Sequence, residues 1–292
     1  MPQWTAEVEV TETEAARVIT AQFPELAPVT VRLMGAGWDN TAFVVNERYV
    51  FRFPRRAIAA PLLATELAVL PQIAPHLPLP IPVPIFQGNL GEWPFGGYER
   101  LAGQTMCSLR LSEAERVGLA VPLAHFLRAL HGLEVPAPPD TIRRLDLDFR
   151  LPRAQENLAR ARGLGLLTAR ELPLTAPVGW VARTDTLVHG DLYVRHLLVG
   201  EDRTLAGVID WGDLHRGDPA IDLSIAFIVL PPEAHKAFRD AYGSIEEATW
   251  QVARLRAIWH TLTVLLYAAD IGDADLVRET QLTFGWLNGQ HR

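Results

Sequence analysis

The segment LVHGDLYVRHLLV at residues 187–199, followed by LAGVIDWGD at residues 205–213, is the most informative part of the sequence. Asp191 follows an apolar run and a glycine, and Asp210 ends the next apolar run nineteen residues later. His196, a possible metal ligand, lies five residues after Asp191. A base-like carboxylate, a metal-ligand position and a second carboxylate, in this order, are typical of an active site for phosphoryl transfer.

The motifs of this stretch resemble those of the aminoglycoside phosphotransferase family, the antibiotic kinases and their small-molecule relatives. His-Gly-Asp at residues 189–191 stands where kinases have His-Arg-Asp, and Ile-Asp-Trp-Gly at residues 209–212 stands where they have the metal-binding Asp-Phe-Gly. Residues 35–46 and 49–56 resemble the family's nucleotide loop and third strand, and residues 217–223 resemble its Asp-Pro-x-x-Asp signature.

The resemblance implies a protein-kinase-like, bilobal α+β fold, with a small antiparallel-sheet N-lobe and a mainly helical C-lobe. We expect residues 1–102 to form the nucleotide-binding lobe and residues 103–292 to form the catalytic and acceptor-binding lobe. The local patterns agree with this division. Three strand patterns lie within residues 29–53, whereas the pattern beyond residue 220 is helical.

Several helix positions can also be predicted from the sequence. Residues 11–23 and a stretch opened by Pro61 carry apolar residues at helical spacing. Ser-Glu-Ala-Glu at residues 112–115 is a capping box that opens a helix through Leu130. Residues 153–170 are predicted to form a further helix.

Asp191 is the predicted catalytic residue. A kinase needs a carboxylate beside the acceptor hydroxyl, to orient it and to take its proton as the new phosphorus–oxygen bond forms. His189, Asp218 and Asp222 are expected to brace the loop that carries Asp191, because the equivalent positions of the family are structural.

The metal ligands are predicted to be Asp210 and His196, holding Mg²⁺ or Mn²⁺. A hard divalent cation that bridges phosphates prefers an oxygen ligand such as the Asp210 carboxylate. His196 is a departure, since the family usually has Asn there. A neutral imidazole can bind a metal, although magnesium prefers oxygen, so a supporting or packing role for His196 stays open. A histidine here is similar to the macrolide phosphotransferase branch.

The nucleotide, ATP or GTP, is expected to bind through two groups of residues in the N-lobe. Gly35 and Gly37 can bring backbone amides close to phosphates. Arg52 occupies the place where kinases have a phosphate-binding Lys, and Glu66 is the helix carboxylate expected to pair with it.

A hinge segment is expected to contact the nucleotide base. In the resemblance, the backbone carbonyl of Glu99 and the backbone amide of Leu101 meet the edge of the purine, and Tyr98 is the bulky residue beside it. A tyrosine at this place resembles enzymes that favour GTP over ATP.

Composition limits the partners. The chain has 292 residues, with 27 basic and 34 acidic ones and a net charge of −7, which disfavours a nucleic-acid partner. The single cysteine, Cys107, cannot form an internal disulfide. We find neither a signal peptide nor a tract that could cross a membrane, so we expect a soluble, cytoplasmic protein without a membrane partner.

The acceptor is expected to be a cationic small molecule, with aminoglycosides leading and macrolides second. Sugars, choline-like compounds and amino alcohols remain open. Acidic residues of the C-terminal helices are candidates for binding amino groups. They are Asp240, Glu246, Glu247, Asp270, Asp273, Asp275 and Glu279.

Two readings from other classes also remain open. A nucleotide-binding pseudokinase regulator would explain the missing Asn and Lys, although it leaves the retention of Asp191 and Asp210 unexplained. A metallohydrolase could use His189, Asp191, His196 and Asp210 as a metal cluster. That interpretation assigns no function to the N-terminal strands.

Overall fold

The computed structural model describes residues 7–37, 39–167 and 172–289. The chain forms two compact units. The first comprises the described residues within Met1–Pro75, Pro80–Leu101 and Trp211–Asp213, and the second those within His76–Leu79, Ala102–Asp210 and Leu214–Arg292.

The first unit is built on a five-stranded antiparallel sheet with the strand order β1-β2-β3-β5-β4. Two helices accompany the sheet. The elements are α1 (Glu12–Gln22), β1 (Val31–Ala36), β2 (Asn40–Val45), β3 (Tyr49–Pro54), α2 (Ala59–Ile73), β4 (Pro84–Leu90) and β5 (Trp93–Glu99). The predicted opening helix and the three predicted strands are present.

Aromatic side chains form the core of this unit. Phe43 and Phe53, on neighbouring strands, meet edge to face at 5.7 Å between ring centroids, and Phe53 stacks on Phe95 at 4.5 Å. All three rings are almost fully buried. Each such ring contributes about 1.5–3 kcal/mol through removal from water. The same core cluster includes Val18 and Ile19, so it packs α1 against the sheet.

The second unit is mainly helical and contains two small antiparallel sheets, with the strand orders β10-β7 and β6-β8-β9. Its strands are β6 (Gln104–Thr105), β7 (Thr186–Val188), β8 (Leu197–Val199), β9 (Leu205–Val208) and β10 (His215–Gly217). Its helices are α3 (Glu113–His131), α4 (Leu147–Gly163), α5 (Ala220–Leu223), α6 (Ile225–Val229), α7 (His235–Tyr242), α8 (Glu247–Ile271) and α9 (Ala274–Leu287).

Capping residues explain where two of these helices begin. The predicted capping box is present at the start of α3, with Ser112 and Glu115 exchanging side-chain and backbone hydrogen bonds. The prediction of a helix at residues 153–170 was wrong in its limits. Asp146 caps α4 by accepting from the Phe149 amide, so the helix begins earlier than the apolar pattern suggested.

The end of α4 also differs from the prediction. The helix stops at Gly163. Gly165 then adopts a φ of +69°, a left-handed conformation with which the helix cannot continue. Residues 168–170 of the predicted span lie outside the described residues. Within the described part of the chain, none of the helices has the length and apolar character that a membrane span requires.

Candidate active site

The loop between β7 and β8 carries the predicted catalytic carboxylate. It leaves the buried strand β7 through His189 and Gly190, and Gly190 has a φ of +92°, a conformation that favours glycine. Asp222, from α5, accepts hydrogen bonds from the backbone amides of His189 (2.7 Å) and Gly190 (3.0 Å). The predicted bracing role of Asp222 is therefore confirmed.

Asp222 is itself held in a buried network. His131 Nε2 lies 3.2 Å from an Asp222 carboxylate oxygen, and His131 Nδ1 lies 2.8 Å from the hydroxyl of Tyr242. Burial alone would raise the pKa of Asp222, but the hydrogen bond and charge of His131, with further help from the loop amides, hold it below its ordinary value. The loop that carries Asp191 thus rests on an ionised, buried carboxylate.

His189 braces the loop from the other side. Its Nε2 lies 3.0 Å from the carbonyl oxygen of Ile209, and its Nδ1 accepts from the Asp191 amide at 3.3 Å. A carbonyl only accepts, so Nε2 carries the hydrogen and the ring is neutral. Burial agrees with this, since it lowers the pKa of His189. His189 therefore ties Asp191 to the segment that leads to Asp210.

Asp191 presents a partly exposed carboxylate, whose side chain is 33% exposed. Its Oδ1 lies 3.2 Å from Nε2 of His260, on α8. Burial would raise the pKa of Asp191, but the hydrogen bond from His260, together with the charges of His196 and Arg256, brings it well below its usual range. The carboxylate is ionised at neutral pH and can accept a hydrogen bond from a substrate hydroxyl.

His260 and Arg256 are site residues that the sequence motifs did not reveal. Arg256 is buried, and its Nη2 lies 3.3 Å from the carbonyl oxygen of Gly190. Burial lowers the pKa of Arg256 to about 10, which leaves it charged at neutral pH. The available signal was two polar residues four positions apart within an apolar helix, a spacing that places both on one helix face.

Asp210 lies just beyond β9 and has a φ of +65°, a backbone conformation that is uncommon outside glycine. Its Oδ2 lies 3.1 Å from Nε2 of His196. The other ring nitrogen of His196, Nδ1, lies 2.7 Å from the backbone carbonyl oxygen of Asp191. The structure therefore brings Asp191, His196 and Asp210 together, with the imidazole between the two aspartates.

The pKa of His196 is raised. Burial of the ring acts against its charged form, but the charge of Asp210 and the hydrogen bond to it, followed by the charge of Asp191, outweigh burial. In the absence of a cation the ring therefore bridges the carbonyl of Asp191 and the carboxylate of Asp210 as a double donor.

The donor atoms at Asp210 and His196 fit a divalent cation. Nδ1 of His196 is occupied by the Asp191 carbonyl, so deprotonation leaves the lone pair on Nε2, toward Asp210. Adjacent ligands of an octahedral magnesium ion are roughly 3 Å apart, close to the 3.1 Å between these two atoms. Among the described residues no cluster of three or more metal-ligating side chains occurs, so phosphate and water oxygens would complete such a site.

The predicted nucleotide residues lie in the first unit. Arg52 Nη1, on β3, lies 2.7 Å from Glu66 Oε2, on α2, and both side chains are buried. A small pocket beside this pair is lined mainly by aliphatic side chains together with Tyr98. The pair and Tyr98 thus share one pocket.

The remaining predicted nucleotide residues lie at the ends of strands. Gly35 is in β1, and the Gly37 amide donates to the Asn40 carbonyl at 2.9 Å, closing the turn into β2. Trp38, within this loop, lies outside the described residues. Glu99 ends β5 and its side chain pairs with Arg48, while Leu101 follows two residues later.

The sequence profile of the phosphotransferase enzyme family, APH, matches residues 30–256. The chain is also similar to the solved GDP and kanamycin complex of APH(2")-IIIa, with 23% identity and a TM-score of 0.69 over 95% of this chain and 99% of that one. The streptomycin-ATP-APH(2")-IIa ternary complex aligns with 20% identity and a TM-score of 0.60, over 90% of this chain and 92% of that one.

A macrolide phosphotransferase is similar as well. Macrolide 2'-phosphotransferase MphH from Brachybacterium faecium, as apoenzyme, aligns with 22% identity and a TM-score of 0.59, over 94% of this chain and 97% of that one. Likeness at this level of identity shows the fold. The predicted fold class, kinase-like with an antiparallel-sheet N-lobe and a mainly helical C-lobe, is therefore confirmed.

Proposed function

Since the chain belongs to the phosphotransferase enzyme family, APH, we propose that it moves the terminal phosphate of ATP or GTP to a hydroxyl of a small molecule. One observation carries the proposal. Two carboxylates, those of Asp191 and Asp210, lie on either side of a single imidazole, that of His196. The Asp191 carboxylate is ionised, partly exposed and held by its neighbours. This is the arrangement that a phosphotransferase needs for its base and its metal ligand.

Asp191 is the proposed catalytic base. Its carboxylate accepts a hydrogen bond from the acceptor hydroxyl and takes the proton as the oxygen attacks the terminal phosphorus. The new oxygen–phosphorus bond forms while the bond to the leaving oxygen of the nucleoside diphosphate breaks. The ionised Asp191 carboxylate orients the hydroxyl in the ground state and receives its proton as the new bond forms.

Asp210 and His196 are the proposed metal ligands. When bound, Mg²⁺ or Mn²⁺ supplies positive charge that offsets the charge of the phosphate oxygens. Asp210 contributes a partly exposed carboxylate for this purpose, and the hydrogen bond from His196 Nδ1 to the Asp191 carbonyl orients the imidazole.

The nucleotide is proposed to bind through the first unit. Arg52 offers a guanidinium held by Glu66, and Gly35 and Gly37 have no side chains that would keep a phosphate away from the backbone. Tyr98, Glu99 and Leu101 are the proposed contacts of the base. Both ATP and GTP are candidate co-substrates, since one similar structure holds GDP and another ATP.

Aminoglycosides lead as acceptors, because two of the similar structures hold kanamycin and streptomycin. A second candidate, a less cationic acceptor such as a macrolide, is favoured by one observation. Six of the seven acidic residues considered for binding amino groups already pair with a basic side chain. The pairs are Asp240–Lys236, Glu247–Arg239, Asp270–Arg160, Asp273–Arg195, Asp275–Arg278 and Glu279–Arg116.

The test is an acceptor panel of aminoglycosides, macrolides and simple amino alcohols, each incubated with ATP or GTP and Mg²⁺ and analysed for phosphorylated product by mass spectrometry. We expect a mass increase of one phosphate with at least one acceptor. Asp191→Asn and Asp210→Asn should abolish it. Nucleotide binding without any product would favour a pseudokinase, and hydrolysis that needs no nucleotide would favour a metallohydrolase.

A further inference from the structure

We infer that α8 positions the catalytic carboxylate, with His260 as a positioning residue that holds one oxygen of Asp191 and leaves the other for the acceptor. This inference rests on the proposed function of Asp191 as the base. It adds a residue that lies outside the sequence motifs of the catalytic loop and the metal site.

The two oxygens of Asp191 have different surroundings. Oδ1 lies 3.2 Å from Nε2 of His260. Oδ2 lies 3.9 Å from Nδ1 of His196, which is too far for a hydrogen bond, and that nitrogen already donates to the Asp191 carbonyl. The carboxylate therefore has one held oxygen and one oxygen available to a hydroxyl.

The state of the His260 ring supports this role. A carboxylate only accepts hydrogen bonds, so the nitrogen that faces it must carry the hydrogen. Nδ1 of His260 is buried and has no hydrogen-bond partner among the described residues, which is compatible with the tautomer protonated at Nε2. The ring of Tyr193 lies edge-on to His260 at 5.6 Å and to His196 at 4.3 Å, so it packs against both imidazoles.

The backbone next to Asp191 is held from the same helix. Arg256 lies one turn before His260, and it contacts both the carbonyl oxygen of Gly190 (3.3 Å) and the hydroxyl of Ser224 (3.4 Å). Residues four apart on a helix lie on the same face, one above the other. Two consecutive residues of the loop thus meet two consecutive turns of α8.

The length and burial of α8 make it a firm support. The helix has 25 residues, and most of those on either side of His260 are buried. A carboxylate fixed by such an element spends less of its time in unproductive orientations, so the contribution of His260 should appear in the rate of the chemical step rather than in nucleotide binding.

The experiment compares three substitutions of His260 in the full chain. His260→Gln keeps an N–H donor at nearly the position of Nε2, whereas His260→Asn and His260→Ala do not reach it. We expect Ala and Asn to lower kcat roughly 10- to 100-fold, with the KM for nucleotide changed by less than about twofold. Gln should recover kcat to within about fivefold of the unchanged protein.

The control is His125→Ala, because His125 is an exposed histidine on α3. It should leave kcat unchanged, and thermal unfolding of all variants shows which of them are folded. Full kcat in a folded His260→Ala protein would overturn the inference. Should that variant not fold, equal kcat values for the Gln and Asn variants would overturn it. Failure of the proposed function looks different, because the unchanged protein would then phosphorylate no acceptor at all.

Discussion

The Nε2 atom of His196 lies 3.1 Å from Oδ2 of Asp210, while Nδ1 of the same ring donates to the backbone carbonyl of Asp191. One imidazole thus connects the loop that carries the proposed base with the strand end that carries the proposed metal ligand. These two contacts of the His196 ring have different consequences. The contact with Asp210 lies at the proposed cation site, and the contact with the Asp191 carbonyl fixes the ring whether or not a cation is present.

His196→Ala should weaken metal binding. The substitution removes one of the two proposed protein ligands and the hydrogen bond that orients the loop, so we expect the Mg²⁺ concentration for half-maximal activity to rise roughly 10- to 100-fold. His196→Asn supplies an amide oxygen, a kind of ligand that magnesium prefers. This variant should therefore need less Mg²⁺ for half-maximal activity than His196→Ala does. A metal titration at fixed nucleotide concentration measures this. An unaltered requirement in the Ala variant would remove His196 from the metal site.

Replacement of Asp222 should destabilise the second unit. Asp222→Ala leaves the amides of His189 and Gly190 without their acceptor and His131 without its carboxylate partner. Loss of one member of a buried charged network costs about 3–5 kcal/mol, so the free energy of unfolding in urea should fall by about that amount.

Asp240→Ala is the matched control for this change. Asp240 pairs with Lys236 on an exposed helix face, where an ion pair contributes at most about 1 kcal/mol. Equal losses of stability in the two variants would show that the Asp222 network does not support the fold.

Stability should also depend on pH through Asp222. Although burial would raise the pKa of Asp222, the hydrogen bond and charge of His131 lower it below the ordinary value of about 3.9. A carboxylate with a lowered pKa in the folded state contributes stability above its unfolded pKa, and this contribution is lost as the pH falls through the folded value. Asp222→Asn should therefore lose less stability than the unchanged protein below about pH 4. Parallel urea midpoints across that range would contradict the expectation.

The proximity of Asp191, His196 and Asp210 could be predicted from sequence because these residues are close along the chain. Asp191, His196 and Asp210 belong to one loop and one hairpin, so their spacing already limits where they can lie. His260 and Arg256 could not be assigned in this way, since only the packing of a distant helix brings them to the loop. Polar residues within a largely apolar helix are a signal that they contact another polar group, but the sequence does not show which group that is.

The ends of the helices were likewise predictable only where a pattern of neighbouring residues marks them. The start of α3 was predictable from its capping box, which is a pattern of neighbouring residues. For α4, the prediction missed residues 147–152, because the N-cap residue Asp146 sets the start of the helix.

The structural role of the Arg52–Glu66 pair can be separated by experiment from its proposed role in nucleotide binding. Both side chains are buried, at 9% and 4% exposure, so Glu66→Ala alone should destabilise the first unit by about 3–5 kcal/mol, because it removes one partner of a buried ion pair. Joint replacement by Met removes both charges at similar volume and should destabilise the unit less than Glu66→Ala does. If Arg52 binds phosphate, this double variant should still show a KM for nucleotide raised at least about tenfold, because one charge-assisted contact is lost. A double variant with normal stability and normal KM in steady-state kinetics would restrict the pair to a structural role.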